Sequence, residues 1–334
     1  RCPTTMTSQE ETKLTPPLVY TLDAINSATS APDFNTRIVH AIEDGFVAHS
    51  AGRFNTCPIQ TMGAPPMAPF RSGIDNYAAQ TCVKSGYLSG ASHYVIKVAS
   101  GGRPFENSGL IQLYSQSTGR LEALLLDEGI LTELRTAAAG AVAARLLMPP
   151  CVKRIGILGT GVQARYQLRF LRAITDCRCV LVWGRTQENA QKFVEDMAAE
   201  DWNIKIALNP DDLLKECELV VTVTSAREPL LGKGNLDSGM KKNWKVRHIN
   251  CIGADATGKM EINPNLIAQA DLLVADSRLQ AQERGEFEEA IRKNIVSIDE
   301  VVEIGELIVN KNMHRGMDKD ERLTIFDSSG LAVQ

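Results

Sequence analysis

The sequence predicts an α/β protein whose second half is a doubly wound parallel sheet, and three observations support this. After about residue 150, short apolar runs of strand length alternate with helix-like segments. The first of these runs ends in a glycine-rich turn that leads directly into a helix pattern. The preceding part has alternating strand patterns and an Ala-rich helix, which indicates a separate mixed α and β domain. At 334 residues, the chain has room for two domains of roughly 150 residues each.

The composition is typical of a globular protein and argues against nucleic acid as a partner. Apolar residues make up 44% and charged residues 23% of the chain, and the net charge of -4 offers no field to attract nucleic acid. The eight cysteines are scattered without a CxxC pair, which predicts reduced thiols, a cytoplasmic location and no metal site.

No apolar run reaches the roughly 18 residues that a membrane span needs, so no membrane association is expected. Residues 1–17 are polar and Pro-rich, and we expect a flexible leader whose true start is Met6.

The first domain is predicted to contain two helices and an antiparallel sheet. Apolar spacing predicts a helix over 33–50, whereas four prolines and a glycine make 57–69 extended or looped. The alternating stretches "HYVIKVAS" (93–100) and "GLIQLYSQSTGRLEALLLD" (109–127) predict strands, the second containing a turn at Ser117 to Gly119. The Ala-rich stretch 131–150 predicts a buried helix that ends at its two prolines.

The second domain is predicted from alternating strands and helices. The predicted strands are 154–158, 180–183, 218–224, 246–253 and 271–277, with helices over 162–174 and 188–199. Asn209 followed by Pro210 predicts a helix start, and Ser297 with Glu300 predicts a capping box for a helix that continues through Ile308.

The glycine turn has the spacing GxGxxA that dinucleotide sites use. Gly159 permits a tight turn, Gly161 leaves room for the pyrophosphate, and the small Ala164 lets helix and strand pack closely. The free N–H groups at the helix start would then face the phosphates. An ordinary strand-to-helix turn is the alternative. The residues of this turn assigned to the cofactor are Gly159, Thr160, Gly161, Val162 and Gln163.

The end of the next strand bears on the choice of cofactor. An NAD site usually has an acidic residue about 20 residues after the glycines, but here that place is Gly184. Gly184 leaves space for an extra phosphate, which Arg185 and Thr186 could bind, so NADP(H) is favoured while NAD(H) remains possible. Alternatively, Arg185 is a solvated loop cation and Thr186 caps the next helix.

Several segments together resemble the ornithine cyclodeaminase and mu-crystallin family. They are "HYVIKVASG", "LTELRTAAAGAVAA", "IGILGTGVQAR", "VTSAREPLL", "CIGADATGKMEI" and "TIFDSSGLAVQ", and the resemblance extends from about Leu18 to the last residue. It implies a homodimer with a Rossmann-type dinucleotide-binding domain over 146–307. It also implies a discontinuous α+β domain, formed by 18–145 with 308–334, for substrate binding and dimerisation.

The resemblance also implies the residues of a substrate site. Arg135 in "LRTAA" and Lys97 in the strand before it would hold a substrate carboxylate, and Asp255 in "GAD" would act as acid and base, with Lys97 as its catalytic partner. Thr136 would lie near the cofactor phosphates, and Thr224 in "VTSAREPLL" is assigned to the same site. From the residues alone, Arg135 could pair with a neighbour, Lys97 could be a sheet-edge charge and Asp255 could cap a turn.

One departure from the family concerns the substrate. Where ornithine-cyclising members have an early arginine, this chain has Gln60, which cannot supply the charge. Lys84 in "TCVKSGYL" resembles a subgroup without that arginine and is expected to bind substrate in its place.

The function implied is hydride transfer at the carbon of an amine or imine next to a carboxylate. The substrate would be a small amino acid or cyclic imino acid, reduced with NADPH or oxidised. Two alternatives remain: a cyclodeaminase that releases ammonia, and a mu-crystallin-like protein that binds NADPH and a small ligand without turnover.

Overall fold

The computed structural model describes residues 15–63, 80–101, 108–233, 243–313 and 321–334. Apart from residues 15–17, the expected leader lies outside the described residues. The described chain forms two β-sheets with helices packed against them. None of the helices in these ranges has the length and apolar character needed to cross a membrane.

The first sheet precedes the Ala-rich helix. Its strands are β1 (Leu18–Tyr20), β2 (Phe54–Thr56), β3 (Gln60–Gly63), β4 (Gln80–Leu88), β5 (His93–Gly101), β6 (Ser108–Ser115) and β7 (Leu121–Leu125). Their order is β1-β7-β6-β5-β4-β2, and β3 also pairs with β4. Only β1 runs parallel to its neighbour among these described strands. The strands predicted from 93–100 and 109–127 are therefore confirmed as β5, β6 and β7.

The helices of this part follow the sequence patterns closely. They are α1 (Leu22–Thr29), α2 (Phe34–Ser50) and α3 (Ile130–Leu147). The predicted helix over 33–50 is α2, and Asp33 is its N-cap residue. The Ala-rich α3 is buried over most of its length and ends two residues before Pro149, as predicted.

The second sheet is entirely parallel among its described strands, as the alternating pattern predicts. Its strands are β8 (Ile155–Leu158), β9 (Cys179–Trp183), β10 (Asn203–Ile206), β11 (Leu219–Thr222), β12 (His248–Cys251), β13 (Leu272–Ala275), β14 (Val301–Glu303) and β15 (Thr324–Asp327). The order is β10-β9-β8-β11-β12-β15-β13-β14. Because the strands are parallel, the loops that follow β8, β9, β11 and β12 meet at one edge of the sheet.

The described helices of the second part are all shorter than α2 and α3. They are α4 (Val162–Leu171), α5 (Gln187–Met197), α6 (Asp212–Glu216), α7 (Pro264–Ile267), α8 (Arg278–Glu283), α9 (Glu288–Arg292) and α10 (Ile304–Val309). The expected helix start is wrong by two residues, because α6 begins at Asp212 rather than at Pro210. Asn209 and Pro210 form a turn before α6, in which the Asn209 amide donates to Asp212 Oδ2 at 3.0 Å. The Asp212 side chain, at the start of α6, therefore accepts from the turn, and Asn209 does not cap the helix.

The capping box of Ser297 and Glu300 is present, but the helix expected to follow it is not continuous. The box closes a single turn over Ile298–Glu300, and the chain then enters β14 before α10 begins. Val301 and Val302 pair with β13, so the tertiary pairing of β-branched residues outweighs the local helix signal.

The C-terminal strand, which the expected division groups with 18–145, is part of the second sheet. β15 lies between β12 and β13 in the parallel sheet and pairs with both. The turn after β15 contacts Lys84 in the first part of the chain, and α10 packs against α2. The remaining division into 18–145 and 146–307 stays a prediction.

Helix α3 connects the two parts of the fold. It packs against α2 on one side and against α4 and β12 on the other. The Asn250 side chain, on β12, donates to the carbonyl of Gly140 in α3 at 2.8 Å. Because α3 is fixed to both parts, a side chain near its first turns is held at their junction.

Candidate active site

The glycine turn after β8 has the geometry that a dinucleotide site requires. Gly159 has φ +119°, and a Cβ added there would lie 2.9 Å from the Val223 carbonyl, so only glycine fits. Gly161 faces open space, with nothing within 4 Å of an added Cβ. Helix α4 begins at the next residue, and no side chain caps it, so its first N–H groups are available to a ligand at this turn.

A cleft of about 680 Å³ lies in front of this turn. It is lined by the loops that follow β8, β9 and β11, including Thr160, Arg185 and Thr224. The open approach at Gly161, the helix start and the cationic Arg185 all fit a dinucleotide with its phosphates over the turn.

Arg185 and Thr186, the two residues expected to bind an extra phosphate, have different surroundings at the end of β9. Arg185 lines the cleft, and Gly184 packs so closely on Thr160 that an added Cβ would lie 2.8 Å from its methyl group. The Thr186 hydroxyl accepts a hydrogen bond from Asn189 N at 3.3 Å and caps α5. Thr186 therefore has the helix-capping role that was the alternative for it.

Three of the assigned cofactor residues lie at the junction between α3 and α4. The Gln163 amide donates to the Glu133 carboxylate at 2.6 Å, and Gln167 donates to the Thr136 carbonyl at 3.2 Å. Val162 is the first residue of α4, and its side chain is exposed. The Gln163 side chain thus binds α3.

Two lysines and one arginine of the expected substrate site come together. Lys84 on β4 is paired directly with Lys97 on β5, so both side chains point to the same face of the sheet. A Cβ added to Gly330 would lie 3.0 Å from Lys84 Nζ and 3.0 Å from an Arg135 guanidinium nitrogen. We call Lys84, Lys97 and Arg135 the cation cluster.

The cation cluster has no carboxylate partner among the described residues. None of the ion pairs in this part of the chain involves its members. Arg135 donates to the Gln334 side-chain oxygen at 2.6 Å, and its buried Nε has no hydrogen-bond partner. Gathering like charges without an anion is costly, so the cluster is suited to an anionic ligand.

Burial lowers the pKa of each member of the cluster, and neighbouring cations add to this shift at the two lysines. Burial lowers the pKa of Lys84 to about 8, and Arg135 contributes to this shift while Asp255 opposes it. Burial, with Arg135 and Lys84 nearby, lowers the pKa of Lys97 well below its usual value. Burial also lowers the pKa of Arg135, against the attraction of Asp255. An anion bound here would relieve this repulsion.

Lys84, which is expected to bind substrate, is also bound to the C-terminal turn. It is buried, and its ammonium donates to the carbonyls of Ser329 at 3.0 Å and Gly330 at 2.8 Å. On the other side of this turn, Asp276 accepts from the Gly330 amide at 2.7 Å. Two of the three Lys84 donors therefore hold the C-terminal turn, and one is left for a ligand.

Asp255 follows β12 and faces the same region. Its side chain is 55% exposed, and Lys259 Nζ donates to its Oδ1 at 2.5 Å. Partial loss of water around the carboxyl raises the pKa of Asp255, but Lys259, Lys84 and Arg135 outweigh this effect and keep the pKa below its usual value. Asp255 is therefore ionised at neutral pH and can receive a cationic or proton-bearing nitrogen.

Glu261, a residue that the sequence patterns do not predict as part of the site, fixes the loops around Asp255. Its Oε2 accepts from the Thr222 hydroxyl at 2.6 Å and from Gly253 N at 2.9 Å, and its Oε1 accepts from Thr224 N. Gly253 has to be glycine, because an added Cβ would lie 2.2 Å from the Thr224 carbonyl. Glu261 thus joins a cofactor-cleft loop to the loop that carries Asp255. Both Glu261 and Lys259 lie within "CIGADATGKMEI", one of the segments that resemble the family, and this resemblance is the sequence feature that could have indicated them.

Replacing Glu261 with glutamine should lower stability by about 1–3 kcal/mol, because one side-chain NH₂ group would face backbone donors in a fully buried place. Burial raises the pKa of Glu261 to about 6, although its hydrogen-bond donors oppose this. Denaturant unfolding of the ligand-free protein measures the loss. Glu195→Gln, an exposed change on α5, is the control, and equal stability of both variants would contradict the role of Glu261.

Comparisons with known proteins agree with this fold. The model of the ornithine cyclodeaminase/mu-crystallin family matches residues 97–334. An uncharacterized cyclodeaminase from Sinorhizobium fredii is 36% identical over 279 residues, covering 81% of each chain. The iminosuccinate reductase of Paracoccus denitrificans is 31% identical over 79% of this chain and 77% of its own. An archaeal alanine dehydrogenase dimer with bound NAD superposes with a TM-score of 0.76 at 26% identity, covering 95% of this chain and 92% of its own. The chain therefore belongs to the ornithine cyclodeaminase/mu-crystallin family.

Proposed function

We infer that this protein is an NAD(P)-dependent oxidoreductase that acts on the C–N group of a small amino acid or imino acid. The observation that carries this inference is the cation cluster without a carboxylate partner, electrostatically coupled to the ionised Asp255. Cations and a carboxylate in one site match a substrate that carries both a carboxylate and a nitrogen on one carbon. The family relatives named above support the reaction class.

The residues divide the work between positioning and proton transfer. Arg135 and Lys97 bind the substrate carboxylate, and the fork of Arg135 sets its plane. Asp255 accepts a hydrogen bond from the substrate nitrogen and moves its proton. When bound, the nicotinamide supplies or accepts the hydride at the neighbouring carbon. Glu261 holds the loops on which the cofactor cleft and Asp255 depend.

Reduction of an imino acid to an amino acid is the favoured direction. A substrate screen with cyclic and open-chain imino acids, each with NADPH and NADH, tests the proposal by the loss of cofactor fluorescence. Oxidation of the cofactor by any α-imino acid supports it. Tight NADPH binding with no oxidation across the panel would favour the mu-crystallin-like binding role instead.

A cyclodeaminase activity is the second candidate, because the Sinorhizobium relative is named as a cyclodeaminase. In that reaction the oxidised amine is attacked by the substrate's own distal amine, ammonia leaves, and the hydride returns to the same carbon. The net redox change is zero. Release of ammonia from a diamino acid with a catalytic amount of cofactor separates this activity from reduction. Gln60, in the place of the early arginine, argues against ornithine as the substrate.

We also propose that NADP(H) is preferred over NAD(H). Replacing Arg185 with alanine should weaken NADPH binding about tenfold or more, because a charge-assisted hydrogen bond contributes about 1.5–3 kcal/mol, and should leave NADH binding nearly unchanged. Fluorescence titration of both cofactors measures the difference. Arg172→Ala, at an exposed pair with Asp201, is the matched control. Equal losses for both cofactors would argue against an extra phosphate at Arg185.

A homodimer and a cytoplasmic location complete the proposal. The alanine dehydrogenase neighbour is a dimer. The seven cysteines in the described part of the chain are all unpaired, which is usual for proteins in reducing compartments.

A further inference from the structure

The turn that follows Asp255 is held in place at several points. Gly258 has φ +74°, a left-handed conformation, and its amide donates to Glu288 at 3.2 Å. The Thr257 hydroxyl donates to the Glu283 carbonyl at 2.9 Å. The Lys259 amide closes the turn by donating to the Ala256 carbonyl at 3.1 Å. These bonds fix the backbone from which Lys259 extends to Asp255.

Lys259 binds one oxygen of Asp255 and leaves the other available. Its ammonium donates to Oδ1 at 2.5 Å, and its own side chain is only 24% exposed. Among the described residues, Oδ2 of Asp255 accepts no hydrogen bond. Because Lys259 holds one oxygen of this carboxylate, the direction in which the second oxygen points is defined as well.

The contact also has an electrostatic effect on Asp255. Lys259 is the strongest of the influences that lower the pKa of this carboxyl against the effect of partial desolvation. Lys84 and Arg135 act in the same direction, but a bound substrate carboxylate would offset their charges. Lys259 lies outside the cation cluster, so its effect persists when substrate is bound.

We propose that Lys259 is a positioning residue that holds Oδ1 of Asp255, directs Oδ2 at the substrate nitrogen and keeps the carboxyl ionised during turnover. This proposal rests on the proposed function of Asp255. Lys259 acts through Asp255 and does not itself contact the substrate.

The test compares Lys259→Met with Lys259→Arg on the full chain, using an imino acid that the screen finds to be reduced. The methionine variant should move the acidic limb of the kcat/KM profile upward by about one pH unit, because an opposite charge at this distance lowers a carboxyl pKa by roughly 1–3 units. It should lower kcat more than it raises KM. The arginine variant should restore both the profile and the rate.

Matched controls separate positioning from general stability. Lys293→Met removes another lysine paired with a carboxylate four residues away, Glu289, and should leave the profile unchanged. NADPH binding and unfolding temperature should be the same in the Lys259 variants as in the unchanged protein. If the methionine variant loses cofactor binding, Lys259→Gln, which keeps a donor without the charge, replaces it.

A double-mutant cycle distinguishes the two ways in which the proposal could fail. If Asp255→Asn loses turnover and Lys259→Met then has no further effect, the proposal is supported. If Asp255→Asn loses turnover but Lys259→Met alone changes neither rate nor profile, Lys259 has no positioning role. If Asp255→Asn itself turns over normally, the proposed function of the site is wrong.

Discussion

Replacing Asp255 with asparagine should reduce kcat/KM by about 10²- to 10⁴-fold, the range that general acid–base groups contribute. Asparagine keeps the shape and one oxygen of the side chain but cannot carry a proton between the substrate nitrogen and solvent. The side chain is 55% exposed and pairs with Lys259, so the folded state loses little stability. NADPH binding should stay within about twofold, because Asp255 belongs to a different loop from the glycine turn.

The matched control for this change is Asp201→Asn. Asp201 also pairs with a basic side chain, Arg172, and it is exposed. It has φ +57°, a conformation that asparagine adopts readily, so the control should retain full stability and turnover. Turnover of Asp255→Asn within a few-fold of the unchanged protein would remove Asp255 from the mechanism.

Replacing Arg135 with methionine should raise KM for the imino acid by at least about 30-fold, because loss of one partner of a buried charge pair costs about 2–5 kcal/mol. In the ligand-free protein, by contrast, the same replacement should not lower stability. Arg135 crowds Lys84 and Lys97 and has a buried Nε without a partner, so its removal relieves repulsion. We expect an unfolding temperature equal to or above that of the unchanged protein.

Arg145→Met is the control for this second prediction. Arg145 lies near the end of the same helix, where it pairs with Glu43 and is 39% exposed. The control should leave KM unchanged and should not raise the unfolding temperature. A marked loss of stability in Arg135→Met with unchanged KM would instead mean that Arg135 is a structural residue.

The elements that the sequence predicted well have strong local patterns. The alternation of "HYVIKVAS" predicts β5, and the proline-ended Ala-rich stretch predicts α3. Two helix predictions failed although a capping pattern is present. After Ser297 the helix is interrupted by β14, and after Asn209 it begins later than predicted. At Ser297 the chain joins β14 to a strand more than 20 residues earlier, a pairing that no local pattern contains.

The candidate site depended on resemblance more than on pattern. Lys97, Arg135 and Asp255 are ordinary residues in their own segments, and only the family resemblance indicated that they act together. Lys84 was identified as a cation of the site, but its two bonds to the C-terminal turn depend on a segment about 245 positions away. Glu261 and Lys259 were within a quoted segment, yet nothing local distinguishes them from surface charges.

The sequence by itself determined the parallel sheet, the glycine turn and the family, because each depends on residues that are close together in the chain. Only the tertiary structure decided that Lys84 and Lys97 face each other, that Arg135 meets them, and that β15 lies inside the second sheet. The physical reason is that charge clusters and strand order are set by the packing of distant segments. Periodicity and turn chemistry report only on neighbouring residues.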